Sequence, residues 1–149
     1  MTQQDFPDCF YYLISRLTLM VTAVLRKGFA DAGAESIKPA YIGLLNALWQ
    51  EDGLRSVELG KLAALEPSSM TGVLDRMERD GLIHRAADPD DRRAQRINLT
   101  EVGRDAQGPV LKVVDAVLSR VSSEVSEKDL RTTKATLKKL LLLAQKERG

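Results

Sequence analysis

Between Pro67 and Leu99 the chain changes its hydrophobic period, and that change limits the folds open to it. From Pro67 to Asp80, Val73, Leu74 and Met77 fall on one side of a helical wheel, while Ser68, Ser69, Thr71, Gly72, Asp75, Arg76 and Arg79 stay largely clear of it. That pattern predicts an amphipathic helix, and Gly81 stands where a helix C′ glycine belongs. Leu82-Ile83-His84-Arg85 and Arg96-Ile97-Asn98-Leu99 then alternate around the polar stretch Ala87-Asp88-Pro89-Asp90-Asp91-Arg92-Arg93-Ala94-Gln95, which predicts a β-hairpin with a charged tip. Just upstream, Ser56 is the expected N-cap of a short helix, Val57 to Ala64, with Leu59, Leu62 and Ala63 facing inward. Glu66-Pro67-Ser68-Ser69 turns the chain from that helix into the next. Two helices joined by a tight turn and followed at once by a hairpin make a winged helix-turn-helix pattern.

The flanks read as helices. From Pro7 to Phe29 the residues Phe10, Leu13, Ile14, Leu17, Val21, Val24 and Leu25 recur every three or four positions, until Asp31-Ala32-Gly33 breaks the run. Pro39 opens a second helix carrying Tyr41, Leu44, Leu45, Leu48 and Trp49, which ends at Glu51-Asp52-Gly53. Thr100 can cap the next helix, whose start Gly103 and Gly108-Pro109 make irregular before Val110, Val113, Val114, Val117, Leu118 and Val121 continue it. Ser126 and Asp129 resemble a capping box ahead of a last helix with Leu130, Leu137, Leu140, Leu141 and Ala144. The expected fold is therefore mainly α with a small β-hairpin wing. Residues 1–149 form one unit, with the winged helix-turn-helix over 37–100 and flanking dimerisation helices over 7–32 and 101–147. Those flanks carry more apolar surface than a DNA-reading module of about sixty residues needs to cover itself. A second copy would bury it; the alternative is that the flanks complete a monomeric helical core.

Charge does not announce a ligand. Twenty-two Lys and Arg against 21 Asp and Glu leave +1 over 149 residues, so any cationic surface must be local. One Cys and one His, Cys9 and His84, can build neither a disulfide nor a structural zinc site, and no cofactor is expected. Met1-Thr2-Gln3-Gln4-Asp5 lacks a basic n-region before an apolar stretch, and no run is long enough to span a bilayer. A cytoplasmic location without membrane partners is the expectation. An enzyme is disfavoured, because the sequence has no Gly-rich phosphate loop, ligand-spaced cluster or credible nucleophile-base set.

A helix fits the major groove of duplex DNA, and a protruding hairpin reaches the backbone or the adjacent minor groove. The candidate DNA-facing residues are Ser68, Ser69, Thr71, Gly72, Asp75 and Arg76 on the helix, with Asp91, Arg92 and Arg93 in the wing. Ser68, Ser69 and Thr71 lie at the helix N-terminal end, where free N–H groups favour phosphate, and Arg76 can meet a guanine edge or a phosphate. Arg92 and Arg93 suit a narrow minor groove, with Asp90 or Asp91 to orient them. The alternative for an Asp-Asp-Arg-Arg run is a merely solvated loop.

The sequence resembles the MarR (multiple antibiotic resistance regulator) family in Leu59-Gly60-Lys61-Leu62-Ala63, in the run Ser68 to Glu78, in Asp80-Gly81-Leu82-Ile83, in Asp88-Pro89-Asp90-Asp91-Arg92-Arg93 and in Leu99-Thr100-Glu101-Val102-Gly103. The resemblance implies a transcription regulator, and repression is the expected outcome because occupancy of a promoter blocks polymerase. It would be a homodimer with intertwined terminal helices that binds a roughly palindromic double-stranded operator, with Arg93 of the Asp91-x-Arg93 wing motif in the minor groove. A peroxide-sensing branch of the family carries a reactive cysteine in its first helix, which makes Cys9 a candidate redox residue. The distance from Cys9 to Ser15-Arg16 is shorter than that branch's spacing. Relatives often bind small aromatic acids, so Tyr11, Tyr12, Tyr41 and Trp49 are candidates to line an effector pocket, although such spacing also suits core residues. His84 reads as a surface or DNA-proximal residue. A winged helix that binds protein rather than DNA is the competing class.

Overall fold

A computed structural model describes residues 5–148; the expectation about a targeting segment at Met1-Thr2-Gln3-Gln4 lies outside them. The chain divides into two units, one ending at Val117 and one beginning at Leu118. The first holds α1 (Phe10–Asp31), α2 (Ile42–Gln50), β1 (Leu54–Arg55), α3 (Ser56–Leu62), α4 (Pro67–Arg79), β2 (Ile83–Ala87), β3 (Gln95–Leu99), α5 (Glu101–Asp105) and most of α6 (Gln107–Val121). The second holds the end of α6 and α7 (Glu127–Arg148). No helix of the described residues is long and apolar enough to cross a membrane.

Several helix starts differ from the sequence reading. Pro7 sits in a separate 3-10 turn, Phe6–Asp8, because Cys9 is extended (φ −64°, ψ 130°), and α1 begins only at Phe10. Pro39 likewise opens a 3-10 turn, Pro39–Tyr41, ahead of α2. The N-cap of α3 is Arg55 rather than Ser56: Arg55 is held extended by strand pairing, and its N–H is satisfied by the Glu58 carboxylate at 3.0 Å. Leu62 does not face inward. Leu59 and Gly60 take the buried side of this two-turn helix, and Leu62, last before the left-handed Ala64 (φ 54°), is 65% exposed.

The end of α4 follows its sequence. Gly81 has φ +76°, its N–H reaches Glu78 O at 3.0 Å, and the N–H of Leu82 reaches Met77 O at 3.0 Å. This is the two-bond glycine stop that satisfies the last carbonyls, completed by buried Met77 and Leu82. The chain leaves it directly into β2. The sheet has three antiparallel strands in the order β1-β3-β2, with Ile83 opposite Leu99, Ala87 opposite Gln95 and Leu54 opposite Ile97. Leu82, Ile83, Ile97 and Leu99 bury one face against Leu44, Leu45, Leu48, Leu59, Leu74 and Met77, so the hairpin and both helices of the turn share one core.

Thr100 caps α5, accepting the Gly103 N–H at 3.0 Å while its hydroxyl donates to Gly81 O at 2.6 Å. The expected irregularity is a break at Ala106 between α5 and α6, and Pro109 lacks the N–H that would carry α5 across it. Gly103 has a different role: a Cβ there would lie 2.0 Å from Leu82 O. The outer stripe of α1 stays uncovered, with Phe10, Leu13, Leu17 and Met20 all more than half exposed, while Leu25 and Phe29 join the core. In the second unit Ser126 accepts the Asp129 N–H at 3.1 Å, and no residue of α7 is buried.

Candidate nucleic-acid interface

Packing fixes which side of α4 is free. Met70, Val73, Leu74 and Met77 are buried, which leaves Ser68, Ser69, Thr71, Asp75 and Arg76 exposed and Gly72 half-buried on the opposite side. Pro67 starts the helix, and Glu66 O accepts the N–H groups of Ser69 and Met70, each at 3.0 Å. Short polar side chains therefore crowd the N-terminal half of an exposed helical face.

Arg85 of β2 ties that helix to the wing. Its backbone N–H donates to Glu78 Oε1 at 2.9 Å, and Nε and Nη2 donate to Oε2 at 3.0 and 2.6 Å. Nη2 also lies 2.7 Å from Asp75 Oδ1. Those bonds from Arg85 hold the Glu78 carboxyl below its ordinary pKa. Asp75 is thus exposed yet already ion-paired within the protein.

The base of the wing is built on Asp88, 2% exposed and the one charged side chain in the described core. Arg55 Nε donates to its Oδ2 at 2.7 Å, Arg96 Nε stands 3.0 Å from the same oxygen, and the Asp90 N–H donates to Oδ1 at 2.8 Å. The Arg55 bond first, then the Asp90 N–H, outweigh desolvation and hold Asp88 at about 2. Arg96 also reaches Gly53 O through Nη1 at 3.0 Å. Closer to the tip, Ala94 N–H bonds Asp91 O at 2.9 Å, and Asp91 Oδ1 accepts the Arg93 N–H at 3.0 Å. The acids of the wing therefore shape its backbone instead of gripping the Arg92 and Arg93 guanidinium groups.

The arginines of residues 37–100 consequently sort into two sets. Arg55, Arg85 and Arg96 each meet a carboxylate, whereas Arg76, Arg79, Arg92 and Arg93 have none within 4.0 Å among the described residues and are exposed. The paired set lies at the joints, and the unpaired set lies on α4 and at the wing tip. Sequence reasoning missed Arg55, Glu78, Arg85 and Asp88. The one available signal was Asp88-Pro89, an Asx-type turn start inside what otherwise looked like a uniform charge run.

The other candidates are dispersed. Tyr41 is 1% exposed in the core, its hydroxyl donating to Asp80 Oδ2 at 2.8 Å, and its pKa is raised by burial and then by that bond. Its burial corrects the expectation that it lines an open pocket. Trp49 is half-buried against the same core and donates from Nε1 to Gly103 O at 2.9 Å. Tyr11 is 67% exposed, and half-buried Tyr12 meets the Phe6 ring at 5.4 Å. Neither packs against the core that holds Tyr41 and Trp49. Cys9 is a free, half-buried thiol preceding α1, and His84 is exposed on β2 opposite Asn98. Among the described residues no group of three or more His, Cys, Asp or Glu could hold a metal ion.

Proteins similar to this chain in sequence or in arrangement are known. The model of the MarR family matches residues 39–94. The organic hydroperoxide resistance transcriptional regulator of Bacillus subtilis (strain 168) is 33% identical over 103 residues, 69% of this chain and 68% of that protein. The HTH-type transcriptional regulator TtmR of Methylorubrum extorquens (strain PA1) is 40% identical over 70 residues, 47% of this chain but only 35% of that protein. A probable transcriptional regulator from Pseudomonas aeruginosa has the same fold, with a TM-score of 0.82 at 24% identity over 91% of this chain and 98% of its own. The repressor CouR bound to a 23-mer DNA duplex superposes with a TM-score of 0.77 at 23% identity, covering 97% of this chain and 98% of that one. CouR from Rhodococcus jostii RHA1 bound to p-coumaroyl-CoA gives 0.73 at 23% identity over 89% and 91%.

Proposed function

Because the chain belongs to the MarR family of DNA-binding transcription regulators, we propose that it acts as a homodimer on a pseudo-palindromic operator, with α4 in the major groove and the β2–β3 tip in the neighbouring minor groove. The sorting of the arginines carries this reading. Cations already neutralised by carboxylates release few counterions from DNA, and the four that remain uncommitted lie on the two elements with groove-reaching shape. Ser68, Ser69, Thr71, Gly72 and Arg76 are then the major-groove set, and Arg92 and Arg93, on a tip folded by Asp91, the minor-groove set. Asp75 helps to hold Arg85 rather than reading a base. A two-fold pair would set its α4 helices about one DNA turn, ~34 Å, apart. Occupancy of a promoter excludes polymerase, so we assign repression.

The test is binding of fluorescent duplexes across salt. Arg93→Ala should weaken specific binding about tenfold and lower the salt slope by about one, with the thermal midpoint unchanged. Unchanged affinity and slope would remove Arg93 from the interface. A wild-type protein that binds no duplex even at low salt would favour the protein-interaction reading.

A second reading concerns the release signal. The Bacillus subtilis relative regulates organic hydroperoxide resistance, and Cys9 here is a free thiol. We propose that the Cys9 thiolate attacks the terminal peroxide oxygen, becoming a sulfenic acid as the O–O bond breaks and the alcohol leaves after protonation. Cumene hydroperoxide should then release DNA from the wild type and not from Cys9→Ser. Release from both would point to another oxidant target, and release from neither to a bound small-molecule effector, the kind of ligand that CouR holds as p-coumaroyl-CoA.

A further inference from the structure

Arg55 of β1 and Arg96 of β3 stand directly opposite each other across the sheet, on the face away from the one that Leu54 and Ile97 bury. Like charges so placed repel. The Asp88 carboxylate resolves the conflict, since its Oδ2 lies 2.7 Å from Arg55 Nε and 3.0 Å from Arg96 Nε. Its side chain has no exposed surface, although both arginines keep more than a third of theirs. Apolar groups in place of a buried ion network often leave a protein as stable or more so. Stability alone is therefore a weak reason for this one.

The other oxygen of Asp88, Oδ1, accepts the Asp90 N–H at 2.8 Å and so orders the turn that leads to the tip. Beyond the Ala87–Gln95 pair the hairpin continues through Asp88 N–H to Ala94 O, Ala94 N–H to Asp91 O and Arg93 N–H to Asp91 Oδ1. Each of those bonds stays within residues 88–94. Among the described residues Asp88 is thus the one side chain of that segment bonded or ion-paired to the strands behind it. The tie reaches further, because the backbone N–H of Arg55 meets Glu58 at 3.0 Å at the start of α3. One carboxylate spans the tip and the helix-turn-helix.

Resting on the reading of the β2–β3 tip as the minor-groove element, we propose that Asp88 fixes the direction of that tip through Arg55 and Arg96, so that Arg92 and Arg93 enter the groove in register with α4. Buried as it is, Asp88 acts through the tip and is a positioning residue. The same carboxylate masks Arg55 and Arg96, whose charges, once freed, would attract phosphate at any sequence. Both effects favour the operator over other DNA.

The experiment compares binding of two fluorescent duplexes across salt, one enriched by the wild type from a randomised library and one unrelated. The proteins are the wild type, Asp88→Asn, Arg55→Gln, Arg93→Ala and the double variant Arg55→Gln/Arg93→Ala, at a temperature where circular dichroism shows all of them folded. Arg55→Gln keeps the backbone bond to Glu58 and should lose about tenfold on the enriched duplex and no more than about twofold on the unrelated one, with its salt slope unchanged. Asp88→Asn should lose the same preference, yet bind the unrelated duplex several-fold tighter with a slope steeper by about one, a gain that mere loss of stability cannot produce. The double variant should lose little beyond Arg93→Ala, because the anchor acts through the tip. Wild-type preference in both Asp88→Asn and Arg55→Gln would overturn the inference while Arg93→Ala still tests the wing by itself. Equal weakening on both duplexes, or a double variant whose losses add in full, would overturn it too. An Arg93→Ala protein that binds like the wild type would remove the wing reading and this inference together.

Discussion

Arg55 Nε donates to Asp88 Oδ2 across 2.7 Å, joining the residue that caps α3 to the base of the wing. A buried carboxylate with two arginines and a backbone N–H around it is worth most when intact, since removing one partner strands the rest. The carboxyl of Asp88 is held at about 2 against an ordinary value of 3.8, so folding favours its ionised form. The stability it supplies is present above the unfolded value and is lost as pH falls from about 4 to about 2. Asp88→Asn should therefore lower the thermal midpoint at neutral pH and flatten its dependence in that acid window. Circular dichroism melts at stepped pH check this, and parallel curves for both proteins would show the pairing to be unimportant.

The Arg85 fork should be felt in both fold and binding. Arg85→Met removes the two guanidinium hydrogen bonds to Glu78 and the Asp75 contact, and leaves two carboxylates unneutralised beside the exposed side of α4. The backbone N–H bond can persist, and the side chains are partly solvated, so the expected loss is about 1 kcal/mol of stability. Affinity for all duplexes should fall several-fold, because unmasked acid repels phosphate whatever the sequence. Urea melts and binding to an unrelated duplex measure the two effects. Glu78→Gln added to Arg85→Met should recover part of the binding; no recovery would mean that the fork acts only on the fold.

What could be seen in the sequence was whatever local rules control. Val73, Leu74 and Met77 mark the buried side of α4 by their spacing, Gly81 marks its end, and alternation around a polar tip marks the hairpin, because each depends on residues a few positions apart. Asp88-Pro89 marked a turn, but the ion pairing of Asp88 could not be read from it, since its partner Arg55 lies 33 residues away. The two-residue β1 carries no period of its own and exists only by pairing with β3. Gly103 looked like a helix irregularity, while its physical role is the close approach of α5 to Leu82 O. Tyr41 and Trp49 looked alike as aromatics on one helix, and only the fold distinguishes the buried one from the half-buried one.

The outer stripe of α1 yields the remaining prediction. Leu17 is 56% exposed and flanked by exposed Leu13 and Met20, so in a lone chain Leu17→Glu should shift stability by no more than about 0.5 kcal/mol. In a two-chain assembly that buries this stripe, the same substitution places a carboxylate in an apolar contact without a partner, and association should weaken by several kcal/mol. Sedimentation equilibrium at micromolar concentration should then give a dimer for the wild type and a monomer for Leu17→Glu, both folded by circular dichroism. The monomer should bind a half-operator about as well as a full one, since pairing of recognition helices is lost while each keeps its own contacts. A wild type that sediments as a monomer would assign the stripe some other role and withdraw the two-fold operator from the proposal.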